Sequence, residues 1–341
     1  MKIVEIRGQS GESRILVAES LDNLGQYVPP KRAIIITDSR VSHYYRSRFP
    51  GWDVVEIGTG EGIKTLDTVR HLYKKLVELE VDRSCFIVGI GGGIVCDITG
   101  FTASTYLRGL PFGFVSTTLL SQVDASVGGK NGVNFEGYKN IIGVFNQPAF
   151  VICDPAMLRT LPRNELLCGF AEVVKHAVIG DRACFEFLLK QHKAALALDK
   201  EVMEQLLYDS LRVKVSIVQR DEKEKGERRK LNFGHTYGHA LEKVLGVPHG
   251  EAVSIGMVVA ARLSVRRNLL AEEEAERLQG LLELLHLPTQ IAVDKEQIAD
   301  ALKKDKKREG ERIHFVLLKR IGEAVVEEIA LRELEEVIPW T

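Results

Sequence analysis

A chain of 341 residues, 45% hydrophobic and 27% charged, is long enough to bury a substantial core and to divide into two domains. Its 46 basic and 47 acidic residues leave a formal charge of -1, so no overall field draws it to nucleic acid or to an anionic membrane, and any anion selectivity must be local. Five cysteines (Cys85, Cys96, Cys153, Cys168 and Cys184) form an odd set with no CxxC pair, which points to reduced thiols. Met1-Lys-Ile-Val-Glu5 reads as a strand rather than a signal peptide, and no apolar run approaches membrane length, so a cytoplasmic location is expected.

Residues 1 to about 160 carry an α/β pattern. The run from Arg32 to Thr37 predicts a buried strand and that from Asp53 to Ile57 a second, with a short helix from Val41 to Arg48 between them. Asp38, just past the first strand, is placed either to hold a nucleotide ribose or to cap the helix. Gly60-Glu61-Gly62-Ile63-Lys64 opens an amphipathic helix predicted from Thr65 to Leu79. The strand ending at Ile90 then runs into Gly91-Gly92-Gly93 and an apolar helix bearing Asp97. A strand, a glycine-rich turn and a helix N-terminus make an anion cradle, because backbone N–H groups and the helix dipole both favour negative charge. From Phe101 to Pro148, polar groups alternate with glycines: Arg108, Thr117, Thr118, Asp124, Lys130, Lys139 and Asn140. Cations and an amide between glycines suit a phosphorylated ligand.

From about Pro162 the pattern changes to long amphipathic helices, expected from Glu201 to Gln219, Ala271 to Leu287 and Lys295 to Lys304, with one strand or hairpin arm from Ile313 to Leu318. Three of the nine histidines, His235, His239 and His249, fall within fifteen residues and among small residues that would let a ligand or metal approach the backbone. A helix from Asn232 to Val244 would put His235 and His239 one turn apart on one face, with Asn232 a further turn back. A divalent metal site is the leading reading, against a local cap for each ring. Such a site needs a carboxylate. Gly169-Phe-Ala-Glu172-Val-Val-Lys175-His176 offers Glu172 beside Lys175 on one helix face, where a surface ion pair is the competing reading. Lys214 and Arg228 flank an acidic turn before the histidines and are candidate carboxylate anchors.

The blocks GGGIVCDITGFTASTYLRG, STTLLSQVDASVGGKNGVN, KNIIGVFNQP, GFAEVVKH, LNFGHTYGHALE and HGEAVSIGM occur in that order. Together they resemble the 3-dehydroquinate synthases of the sugar-phosphate cyclase superfamily, from about Ile34 to the C-terminus. The resemblance implies an N-terminal Rossmann-like α/β domain over residues 1–161 that binds NAD, a mainly α-helical domain over 162–341 that binds zinc or cobalt, and a site in the cleft between them. It puts the metal ligands on Glu172, His235 and His249, and moves His239 from ligand to substrate contact. The NAD positions are Asp38, Glu61, Lys64, Gly92, Gly93, Asp97, Thr117, Thr118 and Lys139. The substrate positions are Arg108, Asp124, Lys130, Asn140, Lys175, Lys214, Arg228, Asn232 and His239, with a loop lysine at either Lys306 or Lys307.

The implied reaction is the second step of the shikimate pathway, in which 3-deoxy-D-arabino-heptulosonate 7-phosphate becomes 3-dehydroquinate and phosphate. It proceeds by metal-assisted transient oxidation with NAD, phosphate β-elimination, reduction, ring opening and an intramolecular aldol closure, so the enzyme is a lyase and NAD is regenerated. Arg108 is implied to reach a neighbouring subunit's site, which predicts a homodimer. Cys96, Arg40, the turn Phe135-Glu-Gly-Tyr138 and the short connection Leu245-Gly-Val-Pro248 depart from the usual pattern without removing a polar group given a role. The alternatives are a sister cyclase, a metal-dependent polyol dehydrogenase and a non-catalytic nucleotide or metal binder.

Overall fold

The computed structural model describes residues 1–29, 32–303, 308–309, 312–330 and 332–334, and the chain divides into two compact units, Met1–Pro162 and Arg163–Thr341. In the first unit, strands β1 (Lys2–Gly8) and β2 (Gly11–Val17) form an antiparallel hairpin. Strand-to-helix repeats follow: β3 (Ala33–Asp38) to α1 (Ser39–Tyr45), β4 (Asp53–Ile57) to α2 (Leu66–Glu78), and β5 (Phe86–Gly91) to α3 (Gly93–Thr105). Then come β6 (Phe112–Ser116), a separate hairpin of β7 (Lys130–Phe135) and β8 (Tyr138–Phe145), and β9 (Phe150–Cys153).

The main sheet runs β1-β2-β9-β6-β5-β3-β4 and is parallel beyond the first hairpin. Ala33–Ile36 and the whole of β5 are buried, as strands covered on both faces require. β3 and β5 are neighbours, while β4 and β6 lie on opposite outer sides of that pair. The connections therefore diverge there, which is the place where doubly wound sheets bind ligands at their carboxyl ends. The register Asp38 to Ile57, Thr37 to Ile90 and Gly91 to Ser116 brings four strand ends to that one edge.

Local chemistry sets the element ends. The helix expected from Val41 starts at Ser39 because the Asp38 side chain accepts the Val41 N–H at 2.8 Å, and its last turn is a 3-10 turn, Arg46–Arg48. Thr65 caps α2, whose Val69, Leu72 and Leu76 form the buried stripe. The β7–β8 hairpin closes on Glu136 and Gly137, with φ of 47° and 77°, the two-residue turn whose twist matches its strands.

The second unit is mainly helical: α4 (Arg163–Gly180), α5 (Arg182–Leu196), α6 (Lys200–Arg220), α7 (His235–Leu245), α8 (His249–Arg266), α9 (Glu272–Leu284) and α10 (Lys295–Lys303). Strands β10 (Arg308–Glu309), β11 (Arg312–Arg320) and β12 (Glu323–Ala330) make a three-stranded antiparallel sheet, so the arm expected from Ile313 belongs to a hairpin. Helices α4 and α8 are buried along most of their lengths and form the centre. Small residues let the helices close on each other. A Cβ at Gly250 would stand 2.2 Å from Cys168 Cα on α4, and one at Gly256 would stand 1.9 Å from the Gly234 carbonyl oxygen. The small residues here therefore serve helix packing, where the sequence suggested ligand access.

Candidate metal centre and nucleotide edge

In the second unit three helices converge on one carboxylate. Glu172 on α4 is fully buried; its Oε2 pairs with Lys175, one turn along, and its Oε1 faces His235 Nε2 at 3.5 Å and His249 Nε2 at 3.3 Å. One donor atom from each of Glu172, His235 and His249 lies within 4.8 Å of the others, close enough to share one ion. The far nitrogen of each ring is also held. His235 Nδ1–H donates to the Phe233 carbonyl at 3.1 Å, and His249 Nδ1–H donates to Glu242 Oε1 at 2.6 Å, which aims both Nε2 atoms at Glu172. Burial and then the Lys175 cation hold His235 well below its ordinary pKa, so it is neutral. Burial works to lower His249 too, but hydrogen bonds to Glu172 and Glu242 prevail and raise it to about 9. Two aimed imidazoles and a buried carboxylate suit a dication of the zinc or cobalt type.

The helix expected from Asn232 begins only at His235. Gly234, with φ 77°, is left-handed and separates α7 from a 3-10 turn, Glu227–Asn232, so Asn232 is not one turn back on the same helix. His235 and His239 do sit one turn apart, with ring centroids 5.3 Å apart. Among the described residues, however, no donor group contains both, and the exposed His239 groups with Glu242 and His249. Glu242 was not singled out in the sequence. Its signal was available: it follows His239 by three residues and His235 by seven, on the same helical face.

Lys214 on α6 and Arg228 in the 3-10 turn are both buried. Asp221 organises that turn, accepting N–H bonds from Lys225 at 2.9 Å, Gly226 at 2.7 Å and Arg228 at 3.0 Å. Burial raises the Asp221 pKa, and these three bonds and the Arg228 charge more than offset it, so the carboxyl stays below its ordinary range. The Arg228 guanidinium donates to the Glu222 carbonyl at 2.5 Å, and Asn232 Nδ2 donates to Glu224 at 2.7 Å. Lys306 and Lys307 lie outside the described residues.

In the first unit the expected cofactor positions gather at the sheet's carboxyl edge. Asp38 ends β3, Gly92 and Gly93 open α3 after β5, and Thr117 and Thr118 follow β6, with Thr117 N–H bound to the Gly91 carbonyl at 3.0 Å. Glu61 lies in a 3-10 turn after β4, and the ammonium of buried Lys64 pairs with Asp97 on α3 and donates to Asn140 Oδ1 at 2.5 Å. Lys130 starts β7, Lys139 and Asn140 are exposed on β8, and Asp124 lies in a π-helical turn, Ser121–Ala125. Arg108 sits in a turn where Leu107 and Arg108 both take positive φ, 49° and 69°.

Among the described residues no helix is long and apolar enough to cross a membrane. The family model described as 3-dehydroquinate synthase N-terminal matches residues 54–168, and that described as 3-dehydroquinate synthase C-terminal matches residues 169–308. A 3-dehydroquinate synthase of Dehalococcoides mccartyi is 40% identical, with 97% of each chain covered, and one of Acetivibrio thermocellus is 43% identical over 86% of this chain and 85% of its own. A solved 2-deoxy-scyllo-inosose synthase, complexed with carbaglucose-6-phosphate, NAD+ and Co2+, superposes with a TM-score of 0.89 at 27% identity, covering 99% of both chains. A 2-epi-5-epi-valiolone synthase of Streptomyces hygroscopicus, with NAD+ and Zn2+ bound, gives 0.87 at 26% identity over 99% of this chain and 98% of its own. By both halves of its sequence and by relatives that match it nearly end to end, the chain belongs to the 3-dehydroquinate synthase family.

Proposed function

We propose that the chain converts 3-deoxy-D-arabino-heptulosonate 7-phosphate to 3-dehydroquinate and phosphate, in the cytoplasm and as a homodimer, with residues 1–161 as the NAD-binding domain and 162–341 as the metal- and substrate-binding domain. The observation that carries this reading is the convergence of Glu172, His235 and His249 in a member of this family. Bound there, a zinc or cobalt ion supplies acidity to adjacent substrate hydroxyls, and NAD supplies a reversible hydride acceptor.

The chain's own residues account for the rest. Lys175, buried against Glu172, favours the ionised carboxylate that a metal needs. His235 is neutral and ready to ligate, its tautomer fixed by the Phe233 carbonyl. Asp38, Glu61, Lys64 and Asp97, with the backbone at Gly92, Gly93, Thr117 and Thr118 and the Lys139 ammonium, hold NAD. Lys130, Asn140, His239 and a lysine of the C-terminal loop hold the phosphate. Lys214 and Arg228 hold the carboxylate, and Asp124, Lys175 and Asn232 orient the hydroxyls.

The homodimer is supported by the hairpin. Phe135, Tyr138, Ile141 and Phe145 are between 42% and 57% exposed, an apolar surface that a monomer would leave in water. Arg108 would then serve a neighbouring subunit. A sister cyclase acting on another sugar phosphate is the second reading, favoured by the inosose and valiolone synthase folds. Identity of 26–27% to those proteins against 40–43% to dehydroquinate synthases weighs against it.

The test is phosphate release from the heptulosonate phosphate with NAD in catalytic amount. Many phosphates per NAD are expected, with no accumulation of NADH, loss of release on chelation and its return with Zn2+ or Co2+. One NADH per substrate would make the chain a dehydrogenase, and full activity in verified metal-free protein would contradict the metal role.

A further inference from the structure

Asn134 stands where three hydrogen bonds from two segments meet. Its backbone N–H donates to the Lys64 carbonyl at 2.8 Å, its Nδ2 donates to Glu61 Oε1 at 2.8 Å, and its Oδ1 accepts the Asn140 backbone N–H at 2.8 Å. A parallel bridge between Thr65 and Asn134 adds to the junction. One short side chain thereby joins the Glu61–Lys64 turn to the strand that bears Lys139 and Asn140.

The strand register explains what the junction holds. Val133 pairs with Ile142 and Phe135 with Tyr138, so Asn134 alone opposes Lys139, Asn140 and Ile141. β8 therefore bulges at that point, and a bulge re-aims the side chains it carries. Asn140 takes φ 53°, a left-handed backbone that a residue other than glycine keeps only where its surroundings hold it. The Asn134 Oδ1 supplies that hold at the Asn140 N–H, and Lys64 supplies a second at its side chain while also pairing with Asp97. The hairpin already closes through its own turn at Glu136 and Gly137, so the bulge is not needed to form it.

Resting on the function proposed above, we propose that Asn134 is a positioning residue that couples the cofactor to the phosphate: NAD held by Glu61, Lys64 and Asp97 fixes Asn134, and Asn134 holds Asn140 in the conformation that receives phosphate. Coupling is reciprocal, so each ligand binds more tightly in the presence of the other.

The test is calorimetric titration of the full, metal-loaded chain with NAD, alone and with saturating inorganic phosphate. In the unmodified chain, phosphate tightens NAD by about 5-fold or more. In Asn134→Ala the ratio falls to about one, KM for the sugar phosphate rises more than kcat falls, and metal affinity in the other unit does not change. Asn134→Asp keeps the acceptor for Asn140 but loses the donor to Glu61 and sets two carboxylates together. It retains phosphate binding alone, weakens NAD and also abolishes the coupling. If the unmodified chain binds both ligands independently, or either variant keeps the full ratio, the inference is overturned and the proposed function stands. A chain that binds neither ligand overturns both.

Discussion

The Nδ1 of His249 lies 2.6 Å from the Glu242 carboxylate, and its other ring nitrogen faces Glu172 at 3.3 Å. Glu242 is one helix away from the ring it holds, so it sets the orientation of His249 without joining the donor set of Glu172, His235 and His249. Carboxylates in this position typically contribute 10- to 100-fold in metal affinity. Glu242→Gln is accordingly expected to weaken Co2+ and Zn2+ by about that factor and to alter the Co2+ absorption bands, with Glu242→Asp in between. Unchanged affinity in a calorimetric titration would show that the contact does not matter to the ion.

Glu172 and Lys175 are 0% and 1% exposed, so each charge depends on the other. Glu172→Gln removes the carboxylate facing a buried ammonium, at a cost of about 3–5 kcal/mol. That is less than most of the roughly 5–15 kcal/mol range that holds a typical domain, so the variant is expected to fold at room temperature but to unfold at lower urea. Phosphate release is abolished with the metal ligand. The double variant with Lys175→Met is expected to recover most of the stability and none of the activity. A double variant as unstable as the single one would mean that Lys175 is compensated from elsewhere.

The pH dependence of metal uptake follows from His249. Its pKa in the metal-free fold is raised to about 9 from an ordinary 6.5, burial being outweighed by Glu172 and Glu242. The protonated ring therefore contributes stability that is complete below the ordinary value and is lost as pH rises through about 9. A metal takes only the neutral ring, so binding at neutral pH releases a proton, and apparent affinity rises about tenfold per pH unit until the ring has titrated. Calorimetry in buffers of different ionisation enthalpy counts that proton. His235, already neutral, adds none. Affinity that is flat with pH would contradict this description of His249.

Most of the doubly wound sheet was legible because its strands are unbroken apolar runs closed by turn residues: Arg32 to Thr37 became β3, and the glycine run after Ile90 did open α3. The β7–β8 hairpin was not legible. Polar, glycine and apolar residues are mixed along it, buried in the middle of β7 and largely exposed on β8, so no alternation marks it, and the Glu136-Gly137 pair is a weak turn signal on its own. In the metal centre, periodicity found the two α7 histidines but could not show that Gly234 turns left-handed and removes Asn232 from the helix. The approach of α8 to α4 depends on packing at Gly250, and its approach to the start of α7 on packing at Gly256. Contacts between helices distant in sequence leave no local pattern, which is why His249, already noted in the histidine cluster, replaced His239 as a ligand only through resemblance.

The exposed apolar residues of β8 test the oligomer. Ile141, the last residue of the bulge, and Phe145, four residues on, are both exposed. Ile141→Lys with Phe145→Lys is expected to convert a dimer to monomers in light scattering, with activity falling if Arg108 serves the neighbouring subunit. A monomeric unmodified chain would remove that role for Arg108.

The central claim is that Glu172, His235 and His249 share one dication, and anomalous diffraction from crystals grown with Co2+ tests it most directly. The expected result is a single peak about 2.0–2.2 Å from His235 Nε2, His249 Nε2 and a Glu172 carboxylate oxygen. A peak on His239, Glu242 and His249 instead, or no peak beside Glu172 with Co2+ in excess, would contradict it.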